Sequence, residues 1–147
     1  MKLGISMPSS SQENIPIRHI EAGKNVPMYI TNKQCKTAGK FKGPMVVSMR
    51  PIPSDLITDT IQITAKYKTV HGTPVQVGSP EKLGIENINT PDFGDSVKIK
   101  ADEIPVFWAC GVTPQAVAMK VKLSIMITHS PGHMFITDLE NKELKNY

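Results

Sequence analysis

Apolar and polar positions change their period several times along this 147-residue chain, and each change marks an element. The stretch IPIRHIEAGKNVPMYITN alternates apolar and polar residues between prolines, which predicts extended segments near Ile17 and over residues 28–31. PMVVSMRPI, residues 44–52, is a short continuous apolar run with β-branched members and predicts a buried strand ending near Arg50. In PSDLITDTIQITAKY, Leu56, Ile57, Ile61 and Ala65 recur at helical spacing behind Ser54, a capping residue. A helix is predicted over residues 54–66, with Leu56, Ile57 and Ile61 buried against a sheet. TPVQVG reads as a strand, and SPEKLGI as a short helix with Ser79 as cap and Pro80 at its first position. DSVKIK alternates cleanly and reads as another strand, so residues 44–100 predict an α+β unit.

The last third has longer apolar runs. IPVFWACG is of strand length, TPQAVAMKVK opens a short helix with Thr113 as cap and Pro114 behind it, and LSIMITHS is a second apolar strand stopped by SPGH. A strand, a helix and a strand in that order predict a crossover unit with two parallel strands. In such a unit the residues following each strand share one edge, where open α/β sheets bind ligands. Cys110, Thr113, His129 and His133 are therefore expected to line one cleft.

Composition narrows the setting. Hydrophobic residues at 39% and charged residues at 20% suit an ordered soluble domain. Aromatics are only 5%, so the core must rest on Ile, Val, Leu and eight methionines. The net charge of +4 suits a small anionic substrate. With no dense Lys/Arg block it does not point to nucleic acid. Two cysteines without a CxxC spacing favour a reducing compartment. The start MKLGISMPSSSQEN has no sustained apolar run, so neither a secretion signal nor a membrane partner is expected, and the expected location is cytoplasmic.

The candidate chemistry gathers at the turns. Free amides of Gly111, Val112 and Thr113 at the start of a helix make an anion or oxyanion site, although any Thr-Pro helix start shares the pattern. His129 and His133 are four apart, but Pro131 and Gly132 keep them off one helix; each has the near-neutral pKa of a general acid or base. With Cys110 they also form a possible three-ligand metal set that lacks a supporting motif. Cys110 is either a small buried hydrophobe or a nucleophile activated by the helix start. Arg50 and Arg18 (the latter beside His19) are the only arginines among 17 basic residues, and their planar forks suit a carboxylate. His71, in VHGTP, sits in a turn of the kind that also lines clefts. Asp92 and Asp95 fit Asx-turns.

The blocks IRHIEAGKNVPMY, GPMVVSMRPI, VHGTPVQVG, PDFGD, PVFWACGVTPQ and ITHSPGHMFITD resemble those of the D-glutamate cyclase, or hydro-lyase, family. The resemblance runs from about Ile15 to Leu139 and is that of the C-terminal part of a family member. It implies an α/β fold: an α+β lobe over residues 15–103, then residues 104–147 as the strand–helix–strand return into a larger, incomplete α/β domain, with residues 1–14 as a flexible arm. It also implies conversion of D-glutamate to 5-oxo-D-proline with loss of water, which needs no redox step and no organic cofactor. In that scheme His129, His133 and Cys110 are the candidate catalytic groups. Arg50, Arg18, Gly111, Val112, Thr113 and His71 are the candidates for binding the substrate. A non-catalytic remnant or small-anion binding module of the same family is the alternative. Sheet edges left open would favour a homo-oligomer, and the isolated chain is expected to be weak or inactive as a cyclase.

Overall fold

The fold is organised by one strand with almost no exposed surface. The computed structural model describes residues 15–133. In it the apolar run at Pro44 becomes β2 (Pro44–Pro53), the longest strand, buried from Val46 to Ile52. It lies second in a four-stranded antiparallel sheet of order β1-β2-β4-β3, with β1 at Met28–Gln34, β3 at Gln76–Val77 and β4 at Glu103–Ala109. β2 and β4 pair without interruption from Val47↔Ala109 to Pro53↔Glu103.

A strand buried on both faces reads as a nearly unbroken apolar run, as β2 does. Alternate residues then serve two cores. Tyr29, Val47, Met49 and Phe107 pack with Leu83 and Ile85 in one cluster. Ile52, Val106 and Trp108 pack with Ile15 and Ile63 in another. Met28, Val46 and Val112 form a third, at the end of β2 where α3 (Val112–Val121) lies.

The prolines inside these strands are accommodated by the direction of the ladder. Cys110 donates its amide to Val46 O, so even-numbered β2 residues bond towards β4; Met49 donates to Pro27 O, so odd-numbered ones face β1. Pro51 therefore presents its missing N–H on the β1 side, beyond the end of that strand's register at Met28↔Ser48. No ladder bond is lost there.

Several elements differ from the sequence reading. Ile17 is not in an extended segment; it leads into a one-turn helix, α1 (Arg18–Glu21). The helix predicted over residues 54–66 is a 3-10 turn, Ser54–Leu56, followed by α2 (Ile57–Thr64). Ser54 makes no side-chain cap, and its amide bonds Asp102 O instead. α2 buries Thr60, Ile63 and Thr64, while Leu56, Ile57 and Ile61 are only half-buried. Leu56 and Ile57 nonetheless pack against the cluster of Ile52 and Trp108, as expected of that face. The short helix at residues 80–83 is a 3-10 turn, and Ser79 adopts a left-handed conformation rather than capping it.

Residues 95–100 form no strand. Their alternation is nonetheless used: Val97 is buried and Ile99 packs on the Tyr29–Phe107 cluster, covering the sheet's face without joining its ladder. The preceding PDFGD turn braces β1. Asp92 accepts the amide of Ile30 and Asp95 that of Asn25, bonds across the fold rather than local Asx-turns. Gly94 is fixed there, because with φ +75° a Cβ would stand 2.0 Å from Val26 O.

The crossover unit is not formed. Residues 123–130 belong to no strand, and Ile125 and Ile127 are 80% and 95% exposed. β4 has antiparallel neighbours on both sides, so no edge of it is open to a parallel partner. Mixed α/β character stands. The parallel pair does not. The predicted arm, residues 1–14, lies outside the described residues, as does the chain beyond residue 133. Among the described residues no helix is long and apolar enough to cross a membrane.

One ion pair locks α1 to the start of β4. Arg18 Nε donates to Glu103 Oε1, and its Nη1 lies 2.8 Å from Glu21 Oε2. Glu103 Oε2 also accepts the Lys100 amide at 2.9 Å, and the Glu103 side chain is fully enclosed. Arg18→Ala would strand that carboxylate. The expected loss in urea unfolding is about 2–3 kcal/mol, below that of a fully buried pair because Arg18 is partly open to water. A loss under roughly 0.5 kcal/mol, the scale of an exposed pair, would show that the lock contributes little.

Candidate functional site

Only two side chains interrupt the apolar character of β2 between Val46 and Ile52, and they are two residues apart. Ser48 and Arg50 share a face of the strand, both buried, with Arg50 4% exposed. Arg50 Nη1 donates to Ser48 Oγ at 3.2 Å, and its guanidinium carbon lies 5.5 Å from the centre of the Trp108 ring. Trp108 stands opposite Ser48 in the β2–β4 register, so the ladder itself places the indole against the cation. No carboxylate pairs with Arg50 among the described residues. Burial pushes its pKa down to about 10. Trp108 Nε1 is also buried with no acceptor. The neighbourhood has more donors than acceptors.

Three other groups feel this charge. His19, on α1, is buried, and burial together with Arg50 holds its pKa down at about 4. Its ring makes no hydrogen bond among the described residues. His71, in the loop after α2, is lowered mainly by burial, with Arg50 adding to the effect. Cys110, just past β4, has its thiol pushed up by burial, although the Val112 amide and Arg50 act the other way.

His71 has a structural reason to be where it is. The β4 carbonyls of Pro105 and Phe107 accept from Gly78 and Val75 on the β3 side. The next carbonyl in that row, Ala109 O, lies 2.8 Å from His71 Nδ1. A carbonyl can only accept, so Nδ1 carries the proton and Nε2 is left as the basic nitrogen of a neutral ring.

The sequence-predicted residues divide between this cluster and other roles. Arg50, His71 and Cys110 belong to it. Arg18 does not offer a free fork, since it holds Glu103 and Glu21, and these partners raise its pKa. The oxyanion reading of Gly111, Val112 and Thr113 meets donors already in use. The Val112 amide acts on the Cys110 thiol, lowering its pKa, and the Thr113 amide bonds Cys110 O at 3.0 Å. Thr113 is no helix cap either. Its hydroxyl bonds both Val46 N and Val46 O, fastening α3 to β2, and the helix begins one residue earlier after Gly111.

His129 and His133 are exposed, and each ring turns to a carbonyl of its own turn, Ser130 O and Pro131 O. Their turn does come beside the start of α3, where Gln115 Nε2 donates to Thr128 Oγ1 and His129 O. The two turns are therefore neighbours, as expected, but without the strand geometry that was to aim the histidines inward. Among the described residues no group of three or more His, Cys, Asp or Glu stands ready for a metal, so Cys110, His129 and His133 do not form the three-ligand alternative. Burial likewise opposes a thiolate at Cys110.

His19 was the residue sequence reasoning passed over. IRHIE alone carries no signal for it: Arg18 is held by Glu103 and Glu21, and the next residue of the one-turn helix is buried.

The sequence profile of the D-glutamate cyclase family matches residues 4–138. A protein named "putative hydro-lyase" from Thermoanaerobacter sp. strain X514 is 63% identical over 133 residues, which cover 90% of this chain and 50% of the relative. Proteins of the same name from Natranaerobius thermophilus and Bacillus pumilus are 58% and 60% identical, over 132 and 131 residues. The chain spans about half the length of these relatives.

Two measurements check the electrostatics. In a Cys35→Ser variant at about pH 8, Cys110 should react with a disulfide reagent at least tenfold slower than a free thiol and recover in urea; a rate equal to that of a free thiol would contradict its raised pKa. His19, whose folded pKa lies below its ordinary value of 6.5 at about 4, stays neutral where the unfolded chain takes a proton. Stability should therefore fall as pH drops through that window, and His19→Asn should flatten the fall. An unchanged slope in the variant would refute the burial of a neutral ring.

Proposed function

The chain belongs to the D-glutamate cyclase family, and from that premise we propose that it acts on a small anionic amino acid as a hydro-lyase, closing D-glutamate to 5-oxo-D-proline. The observation that carries this reading is Arg50, a buried guanidinium with no carboxylate partner among the described residues, whose charge helps to lower the pKa of His19 and His71. A planar fork matches a substrate carboxylate bidentately, and low polarity strengthens that bond. The same feature also supports the alternative of a small-anion binding module.

The cyclisation balances without a net proton. The amino nitrogen forms a bond to the carboxyl carbon of the γ-carboxylate, the bond from that carbon to one of its oxygens breaks, and two protons leave the nitrogen for the departing oxygen as water. A neutral histidine suits the first step, taking a proton from the ammonium so that the lone pair is free. Its conjugate acid suits the second, returning that proton to the leaving oxygen. Arg50 would fix the α-carboxylate, so that the amine and the γ-carboxylate meet within reach of the imidazoles.

Incubating the purified chain with D-glutamate and following 5-oxoproline tests the reading. Turnover is expected, weaker than that of a relative of twice the length. Arg50→Met should reduce kcat/KM by about 100-fold or more, the scale of losing a bidentate charged contact. Turnover unaffected by Arg50→Met would place the carboxylate elsewhere.

A further inference from the structure

We propose that residues 124–128 are the docking segment for the half of a family-length protein that this chain does not span, completed as a strand by that half, with Ile125 and Ile127 seated in its apolar interior. The inference rests on membership of the family and not on the cyclase reaction.

The segment is held in place yet uncovered. α3 ends at Lys122, whose left-handed backbone turns the chain off the helix. The chain that follows is then tied back at its far end. Gln115, a buried residue of α3, donates to Thr128 Oγ1 at 2.6 Å and to His129 O at 2.7 Å. Asn25 Nδ2 donates to Pro131 O at 3.2 Å, and a Cβ on Gly132 would collide with the Asn25 side chain. Just before these anchors, Ile125 and Ile127 stand almost wholly in water. Among the other large apolar side chains described, only Met119, near the end of α3, exceeds 42% exposure. Single half-exposed apolar residues are ordinary on any surface. Two nearly bare isoleucines on an anchored segment mark an interaction site.

The backbone points the same way. Among the described residues, neither the amides nor the carbonyls of residues 124–128 have a hydrogen-bond partner. Five consecutive residues thus offer a free edge, and Ile125 and Ile127 have the two-residue spacing that a strand turns to one face. The sequence SIMIT contains no charge and no proline, so nothing in it opposes strand addition. β4 cannot be the partner, because β2 and β3 already flank it.

The family sets the occupant. Its profile matches residues 4–138, which include this segment, and the chain covers 50% of the relative from Thermoanaerobacter sp. strain X514. In a protein of that length as much chain again packs against this half. An uncharged, anchored, strand-competent segment is the surface that suits it. A second copy of this chain would bring only the same segment, and the experiment separates the two.

Hydrogen exchange followed by mass spectrometry, run on this chain and on the full-length Thermoanaerobacter relative, is the test. In this chain the amides of residues 124–128 should exchange at the rate of an unstructured peptide. The matching amides of the relative should exchange at least about 100-fold slower. Ile125→Asp with Ile127→Asp should leave the urea midpoint of this chain unchanged, because both side chains are already in water. Aspartates at the matching positions of the relative should lower its midpoint by about 1 M or more, since they would bury charge. Equally fast exchange in both proteins overturns the proposal, because the segment is then bare in the family-length protein too. Slow exchange in this chain alone also overturns it: as a dimer, a second copy is the occupant, and as a monomer, the chain covers the segment itself. A relative whose midpoint the aspartates do not move overturns the seating of the two isoleucines.

Discussion

The β2–β4 ladder puts a charged side chain where the fold can least easily hydrate it. Seven consecutive residue pairs fix the register, and the two-residue period of a strand then sends Ser48 and Arg50 to one face and Val47, Met49 and Pro51 to the other. Everything packed over the first face must tolerate a buried cation. A hydroxyl and an indole ring answer it locally, at 3.2 Å and 5.5 Å. Neither neutralises it. The surrounding titratable groups settle in their uncharged forms, with His19 and His71 short of a proton and Cys110 retaining its own. That arrangement is costly for an empty site and well matched to an anion.

The two arginines show the same chemistry resolved in opposite ways. Arg18 spends its fork on Glu103 and Glu21, and through Glu103 ties α1 to the strand that carries Trp108. This bond also sets the orientation of His19, the next residue on a helix of one turn. One arginine is thus consumed in fixing the helix that packs on the strand of the other. Thr113 has a comparable role on the far side, where its hydroxyl clasps both polar groups of Val46 and seats the start of α3 beside Cys110.

What the sequence made legible follows from which forces act locally. β2, β4 and α3 were readable as elements because each lies within its own apolar run or turn signal, and Arg50 was readable as a rare charge in an apolar run. The failures are non-local. Residues 95–100 have a strand's alternation, but they lie over the sheet's face rather than beside its edge. Residues 123–130 have a strand's composition, and β4, the partner proposed for them, is already flanked by β2 and β3. Placing the candidate site at the turns rested on that missing pair. The buried polar cluster lies instead on the face of β2 that carries Arg50, while His129 and His133 are exposed. His19 could not be singled out from IRHIE alone, because its burial depends on an ion pair spanning 85 positions.

His71 illustrates how a side chain can take over the work of a strand. β3 is only two residues long and pairs with β4 at Phe107 and Val106, so Ala109 O lies past its register. An unpaired carbonyl there would cost about 1–3 kcal/mol if left dry. A donor from the loop satisfies it, and an imidazole does so with a second nitrogen to spare. A serine or asparagine would cap the carbonyl equally well, but would bring no titratable atom towards Arg50. The edge of the sheet thus explains why a donor is needed at residue 71. The charge on β2 gives a reason for that donor to be a histidine.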